Sequence, residues 1–341
     1  MHAYVLTQHG AARSAFTFRE CPEPQPAPDE VLIAVEAFGL NFADVMARRG
    51  MYRDAPPMPS ILGYEVVGRI AEDYDDLKAG TRVLAFTRFG AYAQRAVAKR
   101  QAVVPIDDEV DAGEATALAT QYCTAWFCAQ HMAQIFPGDH VLIQAAAGGV
   151  GTALVQIARH RGAVVYGTAG SDEKLAYLKT LGVDVPINYR RQDFYQIIRQ
   201  QIGHRGIDLA FDSVGGEVFK KSQQLLGPGG RIIAFGGASR KKGIFNLAKF
   251  VWEFGITVTV KQLMSSQGII GVNMLHIADA RPDYLQQTLQ AVVSMHREGV
   301  LKPTVGGRYH HTELGKAHSE LENRRTIGKL AVYWAQPPSA E

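Results

Sequence analysis

Short apolar runs broken by turn residues fill the first 110 positions. Met1–Gln8 and Val31–Phe38 alternate or run apolar, and Pro22, Pro24, Pro26 and Pro28 crowd the link between them. Glu65–Ile70, Thr81–Phe86 and Ala91–Val97 continue the pattern, which predicts a mainly antiparallel, barrel-like domain. A short helix is expected over Phe42–Arg49. From about residue 120 the period changes. Strand-like runs at His140–Gln144, Ala163–Thr168, Val185–Asn188, Ile207–Phe211, Gly230–Phe235 and Ile256–Val260 alternate with segments of helical spacing such as Asp172–Leu181 and Phe194–Ile202. Such alternation predicts a doubly wound parallel sheet with helices on both faces. Beyond about residue 262 it stops. Pro282–Arg297 reads as an amphipathic helix with proline in its first turn, Glu313–Asn323 as a second helix and Lys329–Tyr333 as a last strand, pieces expected to complete the first domain.

Composition narrows the class. The chain has 341 residues, 47% of them hydrophobic, and a net charge of +3, a balance that suits a packed protein of two domains and excludes a disordered one. The densest basic runs, Arg190-Arg191 and Arg240-Lys241-Lys242, are too short for a nucleic-acid-binding arm. No apolar stretch approaches the ~18 residues of a membrane span, and the N-terminus lacks a basic-then-apolar leader pattern, so a soluble, cytoplasmic protein is expected. Cys21, Cys123 and Cys128 form no paired framework, and adjacent His310 and His311 point to opposite faces of a strand, so no metal site is expected.

The 34 glycines are a surplus, and one cluster carries chemistry. Strand His140–Gln144 runs into Ala145-Ala146-Ala147-Gly148-Gly149-Val150-Gly151, and a helix, Thr152–His160, follows. Against G-x-G-x-x-G this reads Ala146, Gly148, Gly151, with alanine in the first place. Gly148 lacks a Cβ, so a pyrophosphate can approach the free N–H groups and positive dipole end of the helix, while Gly151 lets helix and strand pack closely. With six strands around it, the turn predicts dinucleotide binding by Ala146, Gly148, Gly149, Val150 and Gly151.

The second strand ends Gly167-Thr168-Ala169-Gly170-Ser171, without the acid that normally binds an NAD ribose. Lys174 lies just beyond and Tyr189-Arg190-Arg191 follows the third strand. These groups, with Gly170 and Ser171, favour NADPH, whose 2′-phosphate they would hold by charge and hydrogen bonds. The competing assignment gives the ribose to Asp172 and leaves Lys174 to solvent.

The runs Gly39-Leu40-Asn41-Phe42-Ala43-Asp44, Arg49-Gly50-Met51-Tyr52, Gly63-Tyr64-Glu65, Ala146–Gly151 and Ile187-Asn188-Tyr189-Arg190, with Ile327-Gly328-Lys329 near the end, resemble the quinone oxidoreductase branch of the medium-chain dehydrogenase/reductase superfamily. Within it the chain is most similar to the vesicle amine transport protein-like reductases. The resemblance implies an α/β fold: a Rossmann doubly wound parallel sheet at 120–262, plus a mainly antiparallel GroES-like barrel catalytic domain split between 1–119 and 263–341. It also implies a homodimer joined near Ile256–Gln262. The zinc alcohol dehydrogenases of the superfamily carry zinc ligands where this chain has Asn41 and Tyr64, and a proton-relay hydroxyl where it has Ala43. Asn and Tyr are poor zinc ligands, so alcohol oxidation through a zinc-bound alkoxide is disfavoured.

Without a metal, hydride transfer needs an acceptor that is already electrophilic, such as a quinone or an α,β-unsaturated carbonyl compound. The resemblance implies Asn41 and Thr124 beside the nicotinamide, Tyr52 at the substrate mouth, and Tyr64 either donating to a developing oxyanion or filling the space that zinc left. It implies cofactor contacts for Ser213, Val214, Gly215, Phe235, Gly236 and Asn273, and for Lys329 either a phosphate contact or a strand-edge position. The expected activity is a zinc-free, NADPH-dependent quinone or enone reductase. The alternatives are a nucleotide-binding scaffold or vesicle-associated protein without significant turnover, and a zinc alcohol dehydrogenase.

Overall fold

The structure, a computed structural model, describes residues 1–239 and 259–338. The chain forms two compact units: Met1–Cys123 with Leu275–Glu298 and Lys302–Glu341, and Thr124–Met274 with Gly299–Leu301.

In the first unit, strands run in the order Val305–His310, Lys329–Tyr333, Glu30–Leu40, Glu65–Ile70, Arg82–Phe86, Val103–Pro105, with Arg95–Lys99 also pairing Glu30–Leu40. All pairs but the first are antiparallel. A smaller sheet joins Phe16–Glu20, His2–Leu6 and Ser60–Ile61. Apolar side chains of alternate strand positions, among them Ile33, Phe38, Leu40, Val66, Val83 and Leu330, meet in one core. This is the GroES-like barrel. The eleven-residue strand Glu30–Leu40 bends at a shift of register between Val35 and Ala37, which lets it pair with different neighbours at its two ends.

The second unit holds a six-stranded sheet in the order Val185–Asn188, Val164–Ala169, His140–Ile143, Ile207–Asp212, Leu226–Ala234, Gly268–Gly271, parallel throughout. Val141, Leu142 and Ile143 are wholly buried, as a strand covered on both faces requires. Chain order 3-2-1-4-5-6 is the Rossmann arrangement, and it reverses beside His140–Ile143, where a crevice opens at the carboxyl ends of the strands. The strand expected at Ile256–Val260 lies largely outside the described residues. Its last two residues begin a helix, Thr259–Ser265, and the sixth place in the sheet belongs to Gly268–Gly271. That strand is short and bracketed by glycines, which hides it from a propensity reading. Among the described residues no helix is long and apolar enough to cross a membrane.

Candidate functional site

In the second unit the turn after His140–Ile143 is pinned from both sides. Ala146 N–H donates to the Thr168 carbonyl at 2.9 Å, and the Thr168 hydroxyl donates to Gln144 Oε1 at 2.7 Å. Ala145 adopts a φ of 54°, rare for a residue with a side chain, and the chain then enters the helix Gly149–His160. Gly148 is its N-cap and provides no side-chain cap, so the first N–H groups of a twelve-residue helix are left for another acceptor. The two key glycines differ. A Cβ on Gly151 would come within 2.5 Å of the Ala145 carbonyl oxygen and 2.7 Å of the Ala146 Cα, whereas one on Gly148 meets only that oxygen, at 3.3 Å. Gly151 is required by packing; the open side of Gly148 is where a ligand can approach. Gly149 and Val150 are half-buried beside it.

At the second strand's end Gly170 lies under Tyr189 and Arg190: a Cβ there would be 2.6 Å from the Tyr189 hydroxyl and 3.3 Å from Arg190 Nε. Ser171 caps the next helix by accepting from the Lys174 N–H at 3.3 Å, and Lys174 itself is half-buried. Asp172 accepts from Arg191 at 2.9 Å and from Asn188 Nδ2 at 3.3 Å. Asp172 is thus paired with Arg191 at the surface, while Arg190 and Lys174 lie beside the same strand ends.

Two further loops follow the carboxyl ends of the fourth and fifth strands of this sheet. Buried Asp212 accepts from the Val214 and Gly215 N–H groups at 2.7 and 2.6 Å, and burial pushes its carboxyl up to about 6 against those two bonds. The Ser213 and Val214 carbonyls accept from Ala238 and Ser239, at 3.0 and 2.9 Å, tying the loop to the one that carries Phe235 and Gly236. Asn273 follows the last strand, half-buried, and Thr124 is buried at the start of this unit.

In the first unit the remaining candidates surround a buried polar cluster. Register sets it up: Leu330 pairs Leu40 and Val66 pairs Phe38, so Lys329 and Glu65 converge on the end of the strand that leads into Asn41. Lys329 Nζ lies 2.5 Å from Glu65 Oε1 and 3.1 Å from Asn41 Oδ1, while Asn41 Nδ2 reaches the two Glu65 oxygens at 2.9 and 2.7 Å. The Thr120 hydroxyl donates to Glu65 Oε2. Gly39 makes room: a Cβ there would overlap the Glu65 carboxylate and lie 2.6 Å from Lys329 Nζ. Lys329 is thus not at a strand edge, because its strand is interior to the sheet, and its ammonium is engaged by Glu65 and Asn41. Asn41 likewise spends its amide on that pair and starts the helix Phe42–Arg48, whose Asp44 accepts from the Asn41 N–H at 2.8 Å.

Tyr64 stands next to this cluster with its hydroxyl buried and facing Tyr52, at more than close hydrogen-bond distance. Tyr52, half-buried, meets it edge-on with ring centroids 6.3 Å apart, and Phe89 packs on its other side at 5.2 Å. Burial pushes the Tyr52 phenol up to about 12 and the Tyr64 phenol further. Asp44, Glu65 and Thr120 escaped the sequence reading. Only the spacing of Asp44 from Asn41, three residues into a helix, signalled one of them.

An amide, a phenol and an ammonium do not make a donor set for zinc. Among the described residues no group of three or more His, Cys, Asp or Glu side chains is placed to hold a metal ion. Cys123, buried with its thiol pushed up by burial and by Glu65, behaves as a core residue.

A Rossmann unit with an uncapped helix at its switch point, coupled in one chain to a GroES-like barrel, defines a medium-chain dehydrogenase/reductase. Family models agree, matching an alcohol dehydrogenase GroES-like domain at residues 27–108 and a zinc-binding dehydrogenase at 149–276. The chain belongs to this superfamily, in its quinone oxidoreductase-like branch. It is 31% identical over 338 residues to the synaptic vesicle membrane protein VAT-1 homolog of Danio rerio, covering 97% of this chain and 69% of that one. It is 30% identical to the 2-haloacrylate reductase of Burkholderia sp., covering 93% and 94%. Escherichia coli quinone oxidoreductase, solved as a complex with NADPH, superposes with a TM-score of 0.86 at 25% identity, covering 98% of this chain and 100% of that one.

Proposed function

We propose that this chain is a zinc-independent reductase that uses NADPH to transfer a hydride to quinones or α,β-unsaturated carbonyl compounds. The observation that carries the reading is the cradle at Gly148, an uncapped helix N-terminus at the switch point of a parallel sheet. Reduced nicotinamide, when bound, supplies a hydride to an electrophilic carbon. The open N–H groups after Gly148 receive the pyrophosphate. Lys174, Tyr189 and Arg190 receive the 2′-phosphate, a preference supported by the pairing of Asp172 with Arg191 and by the NADPH complex of the Escherichia coli relative. Relatives named as a quinone oxidoreductase and as a 2-haloacrylate reductase support a conjugated acceptor. Such an acceptor spreads the charge it gains and needs no Lewis acid, only donors aimed at its oxygen. Tyr52 and Tyr64 are those donors. Asn41 acts as a positioning residue through Glu65 and Lys329.

The same reading includes a homodimer through the edge of the Rossmann sheet. Gly268–Gly271 stands last in the strand order, and the helix before it exposes Val260, Leu263 and Met264, the last two 78% and 83% accessible.

Titration of the protein with NADPH and NADH, followed by nucleotide fluorescence, tests the cofactor. Tighter NADPH binding that Lys174→Ala weakens, with NADH hardly affected, is expected; equal affinities refute the phosphate pocket. Steady-state assay with an ortho-quinone and several alkenals tests the reaction. NADPH binding without oxidation by any acceptor would instead favour the nucleotide-binding scaffold, and one zinc per chain with activity lost to a chelator would favour the alcohol dehydrogenase.

A further inference from the structure

One ionisable side chain beside the two phenols has no part in the reaction described so far. Asp44 is wholly buried. Its Oδ2 accepts from the Asn41 N–H at 2.8 Å; the Tyr92 hydroxyl bears on the same carboxyl and the Tyr52 hydroxyl on Tyr64, yet neither Asp44 Oδ1 nor the buried Tyr64 hydroxyl has a partner at close hydrogen-bond distance. Two polar atoms so placed in one buried corner are costly unless they exchange a proton or a hydrogen bond during function. The charged groups around Asp44 are Glu65 and Lys329, and the phenols facing it are Tyr92, Tyr64 and Tyr52. Behind Tyr92 stands His318, whose Nε2 is 3.1 Å from the Tyr92 hydroxyl; burial and the Arg48 guanidinium push this imidazole down to about 3 and keep it neutral. Burial and the Glu65 charge push Asp44 up to about 8, against the Asn41 N–H, the Lys329 ammonium and the Tyr92 hydroxyl. Burial and the Glu65 charge thus favour the protonated form of Asp44, and the neutral imidazole of His318 stands behind Tyr92.

We propose that Asp44 is the proton store of the reductase site, a buried acid that restores the Tyr64 and Tyr52 phenols after one of them has protonated the reduced acceptor. The role rests on the reductase reading given above. Hydride addition to the β carbon of an enone forms a C–H bond and pushes the π electrons onto the carbonyl oxygen. A phenol O–H bond then breaks and its proton goes to the acceptor, leaving a phenolate. The Oδ1–H bond of Asp44 breaks in turn, its proton remakes the phenol, and the negative charge rests on the carboxylate. Solvent returns one proton through the same phenols, so each cycle consumes one hydride and one proton. The physical need is plain: phenols raised to about 12 and beyond are weak donors alone, and a buried phenolate beside Glu65 would be costly, whereas Asp44, raised only to about 8, holds the same charge at lower cost until solvent returns the proton.

Asp44→Asn keeps the size and the acceptor for the Asn41 N–H but carries no proton to give. In the wild type we expect kcat to fall above pH ~8 as the acid is lost, and the infrared difference spectrum to show a carboxylic-acid C=O band that titrates over the same range. In Asp44→Asn the band and that pH limb should vanish, kcat at pH 7 should drop by roughly tenfold or more, and NADPH affinity should stay unchanged. Tyr64→Phe should keep the band and also lose the limb. A wild-type protein without the band, or an Asp44→Asn variant that retains the limb, overturns the proton store while leaving the reductase intact. A band that is present in a protein that oxidises NADPH with no quinone or enone overturns the reductase reading, and this role falls with it.

Discussion

Lys329 and Glu65 are joined 2.5 Å apart with neither side chain exposed to solvent, and Gly39 leaves the space in which they meet. Charges taken so far from water persist only when each is fully matched, and here Asn41 and Thr120 complete the matching. The pair fixes the end of the strand that leads into Asn41 and Asp44.

Lys329→Met should leave the Glu65 carboxylate buried with only neutral donors. We expect a loss of about 3–5 kcal/mol in urea denaturation. The double variant Lys329→Met/Glu65→Gln should recover part of that loss, because no uncompensated charge remains. Equal stability of Lys329→Met and wild type would show that the pair is not buried in solution.

The two glycines of the nucleotide turn should separate folding from binding. Gly151→Ala drives a Cβ into the Ala145 and Ala146 backbone, so stability should fall by about 1–3 kcal/mol. Gly148→Ala meets little protein and should leave the melting temperature nearly unchanged while weakening NADPH binding by roughly tenfold or more. Thermal unfolding and nucleotide fluorescence on both variants check the contrast; unchanged NADPH affinity in Gly148→Ala would remove the cradle from the cofactor site.

Two buried groups set opposite pH dependences of stability. His318 is pushed down to about 3 in the fold, so the unfolded chain binds its proton first. That stability is present above the unfolded pKa of ~6.5 and is lost toward pH 3 at up to ~1.4 kcal/mol per unit. Asp44 is pushed up to about 8, so the fold holds its proton where the unfolded chain has released it. Its contribution is complete below pH ~4 and declines as pH rises to about 8. Between pH 6.5 and 8 only the Asp44 slope remains of the two, and wild-type stability should fall by about 1–2 kcal/mol relative to Asp44→Asn. Urea denaturation at several pH values measures it, and parallel curves for the two proteins would refute a raised Asp44.

The exposed face of the helix Thr259–Ser265 should report on assembly. Leu263→Asp with Met264→Asp adds charge to a surface already open to solvent, so a monomer would tolerate both changes. We expect a dimer for the wild type and a monomer for the double variant by light scattering during gel filtration, with secondary structure unchanged. A wild-type monomer would refute the proposed interface.

Much of the fold was legible because its signals are local. The strand at His140–Ile143, the glycines that follow it and the helix beyond are neighbours in the chain, and their order states a Rossmann turn before any contact is known. The helices Phe194–Ile202 and Pro282–Arg297 likewise follow from apolar spacing and were expected with these bounds. The strand Gly268–Gly271 was not read from the sequence because it has weak intrinsic preference and owes its state to the edge of Leu226–Ala234.

The sequence by itself determined the two classes of layer, the nucleotide turn and the absence of an acid at the second strand's tip, all readable from periods and nearest neighbours. Only the tertiary structure decided that Lys329 belongs to Glu65 and Asn41, that Asp172 is held by Arg191, and that Asp44 and Tyr64 place oxygens without a close hydrogen-bond partner in a buried corner. The reason is physical. Charge pairing, burial and the protonation they impose depend on which side chains meet in space, and Lys329 reaches Glu65 across 264 positions of chain through strand register alone.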